Sequence, residues 1–343
     1  MDSVLSIEEV AAQTGLEESL LRFYESEYPD RLPPKVLRGD VLYFDETAVA
    51  AFRAVHASHG HAGPREEEAQ PARFARVIAV TSGKGGVGKT NIALNLAIEL
   101  QRLKRMCVVV DADMGLANIH LLAGLRPARS IASFLKGEAS ISELVTAGPE
   151  GIGILPGGGG ILALADSTPG ERLRLIRGLA ELEAAADIVL VDTGAGMGRA
   201  VREFLQAADE VIFILTPDIT SLADAYGLLK ALCREQRDFA GHRLYSVVNM
   251  ADNLKQAADT AVRFAKCARQ FLEARVQHLG YVLRDPLVTA AGVRGRPYTV
   301  LRPDGRASKN TRNLALGLLE REEIGIRTTS AFRRYMKLMA ERG

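Results

Sequence analysis

Residues 76–101 read RVIAVTSGKGGVGKTNIALNLAIELQ, and three consecutive signals in that stretch decide the fold. Val77–Thr81 is a short apolar run of strand length, Gly83–Thr90 fits the pattern GxxxxGKT, and Asn91 opens a stretch with helical apolar spacing. Glycines let a backbone wrap closely around an anion, while successive N–H groups and the positive end of the following helix point at it. The stretch is therefore a phosphate-binding loop comprising Gly83, Lys84, Gly85, Gly86, Val87, Gly88, Lys89, Thr90 and Asn91. Lys89 is expected to reach the β- and γ-phosphates of a nucleotide, and Thr90 to ligate Mg²⁺.

Further along the chain, apolar runs at Cys107–Asp111, Ile152–Pro156, Ile188–Asp192, Val211–Thr216, Leu244–Asn249 and Val276–Tyr281 alternate with helical stretches. Continuous apolar strands separated by helices indicate a parallel sheet buried on both faces, hence a doubly wound α/β fold of the P-loop NTPase kind. Asp111 and Asp113 end the second strand and Asp192 ends the fourth, where such a sheet presents side chains to its ligand crevice. Asp192 would hold Mg²⁺, and Gly194 and Gly196 permit a mobile segment after it. Gly157–Gly160 reads as a tight turn, with a loop near the nucleotide as the alternative.

Lys84, directly after the first glycine of the loop, is unusual. Taken alone it is a solvated loop cation, but GKGGVGKT resembles the deviant Walker A signature of the MinD/ParA ATPases. That resemblance covers about 250 residues, Val77 to Leu319. It implies ATP, ADP and Mg²⁺ as ligands, slow hydrolysis, and an ATP-dependent homodimer in which Lys84 crosses the interface to the partner's phosphates. It further implies Asp113 as the residue that orients the attacking water, Asp111 as support for the magnesium site, and Asn249, Leu283 and Arg284 on the adenine side. Leu283 stands where the family usually has proline, and Asn249 also reads as a plain strand-end cap. The runs DADMGLANIHLLAGL, VDTGAGM and LTPDITSLADAYGLLKAL are similar to the flagellar-number regulators FlhG and FleN. This implies control of flagellar number or placement, with the GTPase FlhF, flagellar regulators or flagellar structural proteins as partners. The DPQGN-like stretch of plasmid-partition proteins and the cluster cysteines of nitrogenase iron protein are missing.

Residues 1–56 contain two short amphipathic helices near Ser6–Thr14 and Glu17–Glu27, an extended piece through Arg38–Phe44 and a helix near Glu46–His56. This is a winged helix-turn-helix pattern, and SIEEVAAQTGL, LLRFYESEYP and RGDVLYFDETAVAAF resemble the DNA-binding head of MerR-type regulators. Residues 1–60 nevertheless carry five Lys/Arg and eleven Asp/Glu, 5 − 11 = −6, which lacks the electrostatic footprint of DNA binding. A protein partner is expected first and DNA second. Residues 57–73 read as a flexible linker, 74–325 as the ATPase domain, and 326–343 as an amphipathic tail helix. On that tail Phe332, Tyr335, Met336 and Met339 share one face, flanked by Arg333, Arg334 and Lys337. It suits either an anionic membrane surface or packing on the domain.

The remaining features are bland. A net charge of +1 with 25% charged residues excludes a disordered or nucleic-acid-coating chain. Cys107, Cys233 and Cys267 form no CxxC pair and read as reduced core thiols. His56, His59 and His61 at the linker edge lack the acidic geometry of a metal site. Neither a signal peptide nor a spanning apolar run is visible, so a cytoplasmic location, peripheral to the membrane or at the cell pole, is expected.

Overall fold

The computed structural model describes residues 4–16, 18–27, 31–33, 36–38, 41–45, 47–58, 74–113, 118–157, 169–236, 239–321 and 329–342. The chain divides into two units, Met1–Pro71 and Ala72–Gly343.

In the first unit, β1 (Val4–Ser6) leads into helices Ile7–Thr14 and Glu18–Glu27, followed by β2 (Val36–Arg38), β3 (Val41–Asp45) and helix Ala48–Ser58. The strands form an antiparallel sheet of order β1-β3-β2. The first helix starts at a capping box, in which the Ser6 hydroxyl accepts from the Glu9 N–H and Glu9 accepts from the Ser6 N–H. It ends at Gly15, whose φ of 75° turns the chain into the next helix. Val10, Leu21, Tyr24, Phe44, Ala48, Phe52 and Val55 form a small core. His56 bonds the Tyr24 hydroxyl through Nδ1 at 2.8 Å, so its ring serves that core. His59, His61 and most of the expected linker lie outside the described residues, and the helix continues two residues into the stretch read as linker.

The second unit holds an eight-stranded sheet of order β11-β10-β9-β4-β8-β5-β7-β6. Its strands are β4 (Arg76–Thr81), β5 (Cys107–Ala112), β6 (Thr146–Ala147), β7 (Gly153–Leu155), β8 (Ile188–Thr193), β9 (Glu210–Leu215), β10 (Arg243–Ala251) and β11 (Val276–Leu283). Every pairing is parallel except β6 with β7 at the edge. Parallel pairing requires crossovers, and the helices that supply them cover both faces. In β4, Val77 and Ala79 join one apolar cluster while Ile78 and Val80 join the other, as period-two side chains must.

Two features of this unit depart from the expected pattern. Arg76, at the start of the central strand, is buried and makes a paired contact with buried Glu210, Nη2 to Oε2 at 2.6 Å and Nε to Oε1 at 3.0 Å. Its Nη1 donates to the Leu318 carbonyl. Cys107 is buried, but Cys267 is exposed, so its reading as a core thiol is corrected: it lies on a helix surface turned from the sheet.

The tail helix runs Ala331–Arg342, starting later than expected, and the domain takes up its apolar face. Phe332 and Tyr335 are buried and Met336 is half-buried against the same cluster as Val77; the Met339 side chain lies outside the described residues. Buried Glu183 accepts from the Ser330 hydroxyl at 2.5 Å and from the N–H groups of Ala331 and Phe332 at 2.8 and 3.0 Å, capping the helix. Of the two readings of the tail, packing on the domain is the one this structure displays: its aromatic residues are committed to protein.

Candidate functional site

The phosphate loop connects the end of β4 to helix Lys89–Arg102. A Cβ on Gly83 would stand 2.1 Å from the Asp224 carbonyl carbon, so only glycine lets the loop pass helix Ile219–Glu235. Gly88, at φ 90°, caps the helix, and a Cβ there would meet the Asn249 amide nitrogen at 2.4 Å. That amide donates to the Val87 carbonyl at 2.8 Å and ties the tip of the loop to β10. Asn249 therefore acts on the loop itself. Lys89 is buried beneath the loop, and Thr90 is half-buried beside it.

Two carboxylates meet behind the loop because β5 and β8 are neighbours, with Asp111 and Asp192 in register. Both are fully buried, but their surroundings differ. Asp111 accepts from the N–H groups of Asp113 and Ile119, each at 3.2 Å, so both of its oxygens organise the segment after β5. Neither oxygen of Asp192 has a hydrogen-bond partner. Burial pushes the Asp192 carboxyl up to about 7 against the pull of Lys89 and Thr90. Burial, reinforced by the charge of Asp192, raises Asp111 to about 8. An orphaned buried carboxylate next to a lysine and a threonine fits a hydrated divalent cation at Asp192 and Thr90, which would cancel the desolvation. Asp113 is half-buried, and its Oδ1 lies 3.7 Å from where a Cβ on Gly194 would stand. The catalytic candidate thus faces the glycine segment after β8. Gly196 N–H donates to the Ser82 carbonyl at 3.1 Å, coupling that segment to the phosphate loop.

Lys84 stands at the rim of a cleft of about 450 Å³. Its ammonium contacts Asp218 Oδ1 at 2.7 Å and Thr220 Oγ1 at 2.8 Å, both in its own chain. Burial alone would raise the Asp218 pKa. Hydrogen bonds from Lys84, Thr216, Thr220 and the Ser221 N–H instead hold that carboxyl well below the usual range.

Thr216, Pro217, Met250, Asp252, Gln256 and Arg284 line the rest of the cleft beside Lys84–Val87. Arg284 is accordingly brought to the site and pairs with Asp252 at 2.9 Å. The expectation for Leu283 is corrected: its side chain is buried in the core and its N–H donates to Asn310, so it does not line the cleft. Sequence reading missed Asp218, Thr216, Gln256 and Asp252. The one signal for Asp218, an acid three residues before Ser221, reads equally as a helix cap, and it is one.

Both units of the chain resemble known proteins. Residues 75–240 match the model described as AAA domain, and residues 5–63 match the MerR HTH family regulatory protein model. The antiactivator FleN of Pseudomonas aeruginosa is 35% identical over 233 residues, 68% of this chain and 82% of that protein. The flagellum site-determining protein YlxH of Helicobacter pylori is 33% identical, covering 62% of this chain and 71% of that protein. Among solved structures, the septum site-determining protein MinD of Pyrococcus horikoshii, complexed with Mg-ADP, superposes with a TM-score of 0.60 at 23% identity. That superposition covers 71% of this chain and 96% of the other.

Proposed function

We propose that this chain, which belongs to the MinD/ParA-type P-loop ATPases of the FlhG/FleN kind and carries a MerR-like N-terminal domain, is a dimerising switch that regulates flagellar number or placement. Lys89, Thr90 and Asp192 would hold Mg-ATP, and Asp113 would orient the attacking water. The magnesium ion would supply charge neutralisation at the phosphates.

The observation that carries the reading is the position of Lys84. Within one chain it contacts Asp218 and Thr220, and the ion pair is about one-third to one-half exposed. Exposed pairs of this kind are worth less than about 1 kcal/mol, so a partner's phosphates, with several negative charges, can take the lysine over. ATP then joins two subunits because it contacts both, and hydrolysis releases them. We propose slow turnover on the same ground, since the hydrolysis step serves as a timer.

Light scattering after size exclusion tests this, with Mg²⁺ and either ATP or ADP. The mass of the wild type should double with ATP alone, and Asp113→Ala should stay doubled. A monomer throughout, or a dimer indifferent to nucleotide, would sink the switch and leave a nucleotide-binding enzyme. For the MerR-like head we propose a protein partner, because its balance of −6 opposes phosphate binding. A salt-dependent, sequence-selective duplex shift by the full chain would replace that reading with a DNA-bound regulator.

A further inference from the structure

Two clefts of the ATPase domain differ in kind. Lysine, arginine, aspartate and loop backbone line the phosphate cleft, whereas a groove of about 400 Å³ elsewhere on the domain is walled mostly by apolar side chains, and the two share no residue. This groove lies between helices Ile219–Glu235 and Leu254–Leu272. The first helix contributes Ile219, Leu222, Ala223 and Tyr226, at the spacing of a single helical face. The second contributes Phe264 and Phe271, together with Arg263 and Cys267.

Phe264 is a fixed floor. It is buried, and its ring lies tilted against Phe213 of β9 with the centroids 5.7 Å apart. The walls and rim are open: Ile219 is 78% exposed, Phe271 is 64% exposed, and Leu222 and Tyr226 are half-buried. Apolar surface gathered in one concave place and left facing water favours an occupant. Arg263, Cys267 and Phe271 follow at four-residue steps along their helix. At the helical rise of about 1.5 Å per residue, the groove runs roughly 12 Å from the arginine to the phenylalanine. Arg263 is the one charged group of the lining, and it is exposed. Among the described residues it forms no ion pair, although Asp259 stands one turn before it.

We propose that this groove binds a small amphiphile of the alkyl monocarboxylate class, its chain laid over Phe264 between the helices and its carboxylate on Arg263. A guanidinium meets a carboxylate with two parallel N–H donors, and one guanidinium matches one such charge. A docked peptide helix would bring a polar rim along both walls, yet helix Ile219–Glu235 offers the groove aliphatic and aromatic side chains only. The volume is that of a small-molecule site. Because the groove shares no residue with the phosphate cleft, the inference does not rest on the nucleotide switch.

Cys267 supplies the readout, since it is exposed in the groove, while half-buried Cys233 lies outside it. The full chain, without nucleotide, is treated with N-ethylmaleimide in the presence of decanoate below its self-association concentration, and each thiol is followed by mass spectrometry. Decanoate should slow labelling of Cys267 and leave Cys233 unchanged. From octanoate to decanoate the dissociation constant should fall roughly threefold to fourfold per methylene. Decanol, with the same chain and no charge, should bind about tenfold more weakly. Arg263→Gln should remove that difference, and Ala223→Phe, which fills the groove, should abolish protection by either compound. Both positions are exposed, and circular dichroism checks that the fold is kept. Cys267 labelled at the same rate with and without decanoate, protection that persists in Ala223→Phe, or equal binding of decanoate and decanol by the wild type would overturn the proposal. Labelling that slows with protein concentration and not with decanoate would assign the groove to a second copy of the chain instead.

Discussion

At the scale of single residues, the site is defined by charges held under strain. Asp192 and Asp111 have folded-state pKa values of about 7 and about 8, above their ordinary value. The folded chain therefore binds these protons more tightly than the unfolded chain. Their stabilising contribution is complete below about pH 4 and is lost as pH rises through 7 and 8. Without nucleotide, melting temperature should fall across that window. Asp192→Asn should flatten the slope and, at pH 8, gain about 2–4 kcal/mol over the wild type while losing Mg-nucleotide binding. Calorimetry at several pH values checks both. A second prediction concerns Lys84. Asp218→Asn keeps the helix cap but weakens the local hold on the lysine, so the ATP concentration for half-dimerisation should drop by less than about fivefold. Lys84→Ala should abolish the ATP dimer altogether; a mutant that still dimerises would refute the crossing lysine. The phosphate-loop residues and the three aspartates were legible because their spacing follows from the chemistry of phosphates and strand ends. Asp218 was not, because an acid before a helix serves as a cap with or without a ligand.

At the scale of elements, continuous apolar runs revealed every long strand of the sheet, with ends shifted by a residue or two. The two-residue edge strand β6 escaped, since Thr146 and Ala147 have no pattern to display. The wing and helices of the N-terminal unit were legible through the Gly15 turn and amphipathic spacing, whereas three-residue β1 was not. For the tail helix, an aromatic and methionine stripe fits lipid or protein equally well. Its partner is Glu183, 147 residues before Ser330, and no local pattern could show it. Glu183→Ala should leave buried donors unanswered and cost about 1–3 kcal/mol in urea unfolding, while Glu183→Gln, which keeps an acceptor, should cost less. Equal effects of the two would mean that the cap contributes little.

At the scale of the whole molecule, the two units differ in the depth of their cores. Among the described residues, the N-terminal one centres on a cluster of seven buried apolar side chains, and a unit of this length is marginal by the ordinary relation of surface to volume. The ATPase domain packs two extensive clusters on either face of its sheet. Calorimetry should resolve two transitions, and Mg-ATP should raise only the one belonging to the ATPase domain, by about 2.7 kcal/mol at a hundredfold excess over its Kd. A single transition that shifts as a whole would indicate energetic coupling between the units. The division after Pro71 falls within the polar, Gly- and Pro-containing stretch 57–73.

The buried pair of Arg76 and Glu210 also sets a clock. β4 is the first strand of its sheet to be made, yet its neighbours β8 and β9 and the carboxylate that answers Arg76 come much later, Glu210 134 residues on. At about 5–20 residues per second on the ribosome, the wait is roughly 7–27 s. Until β8 is made the sheet's centre is an apolar strand with both edges open, and one edge stays open until β9 follows. A cell making this protein must shield a nascent segment, and slowing translation between Arg76 and Glu210 should lower the yield of soluble chain.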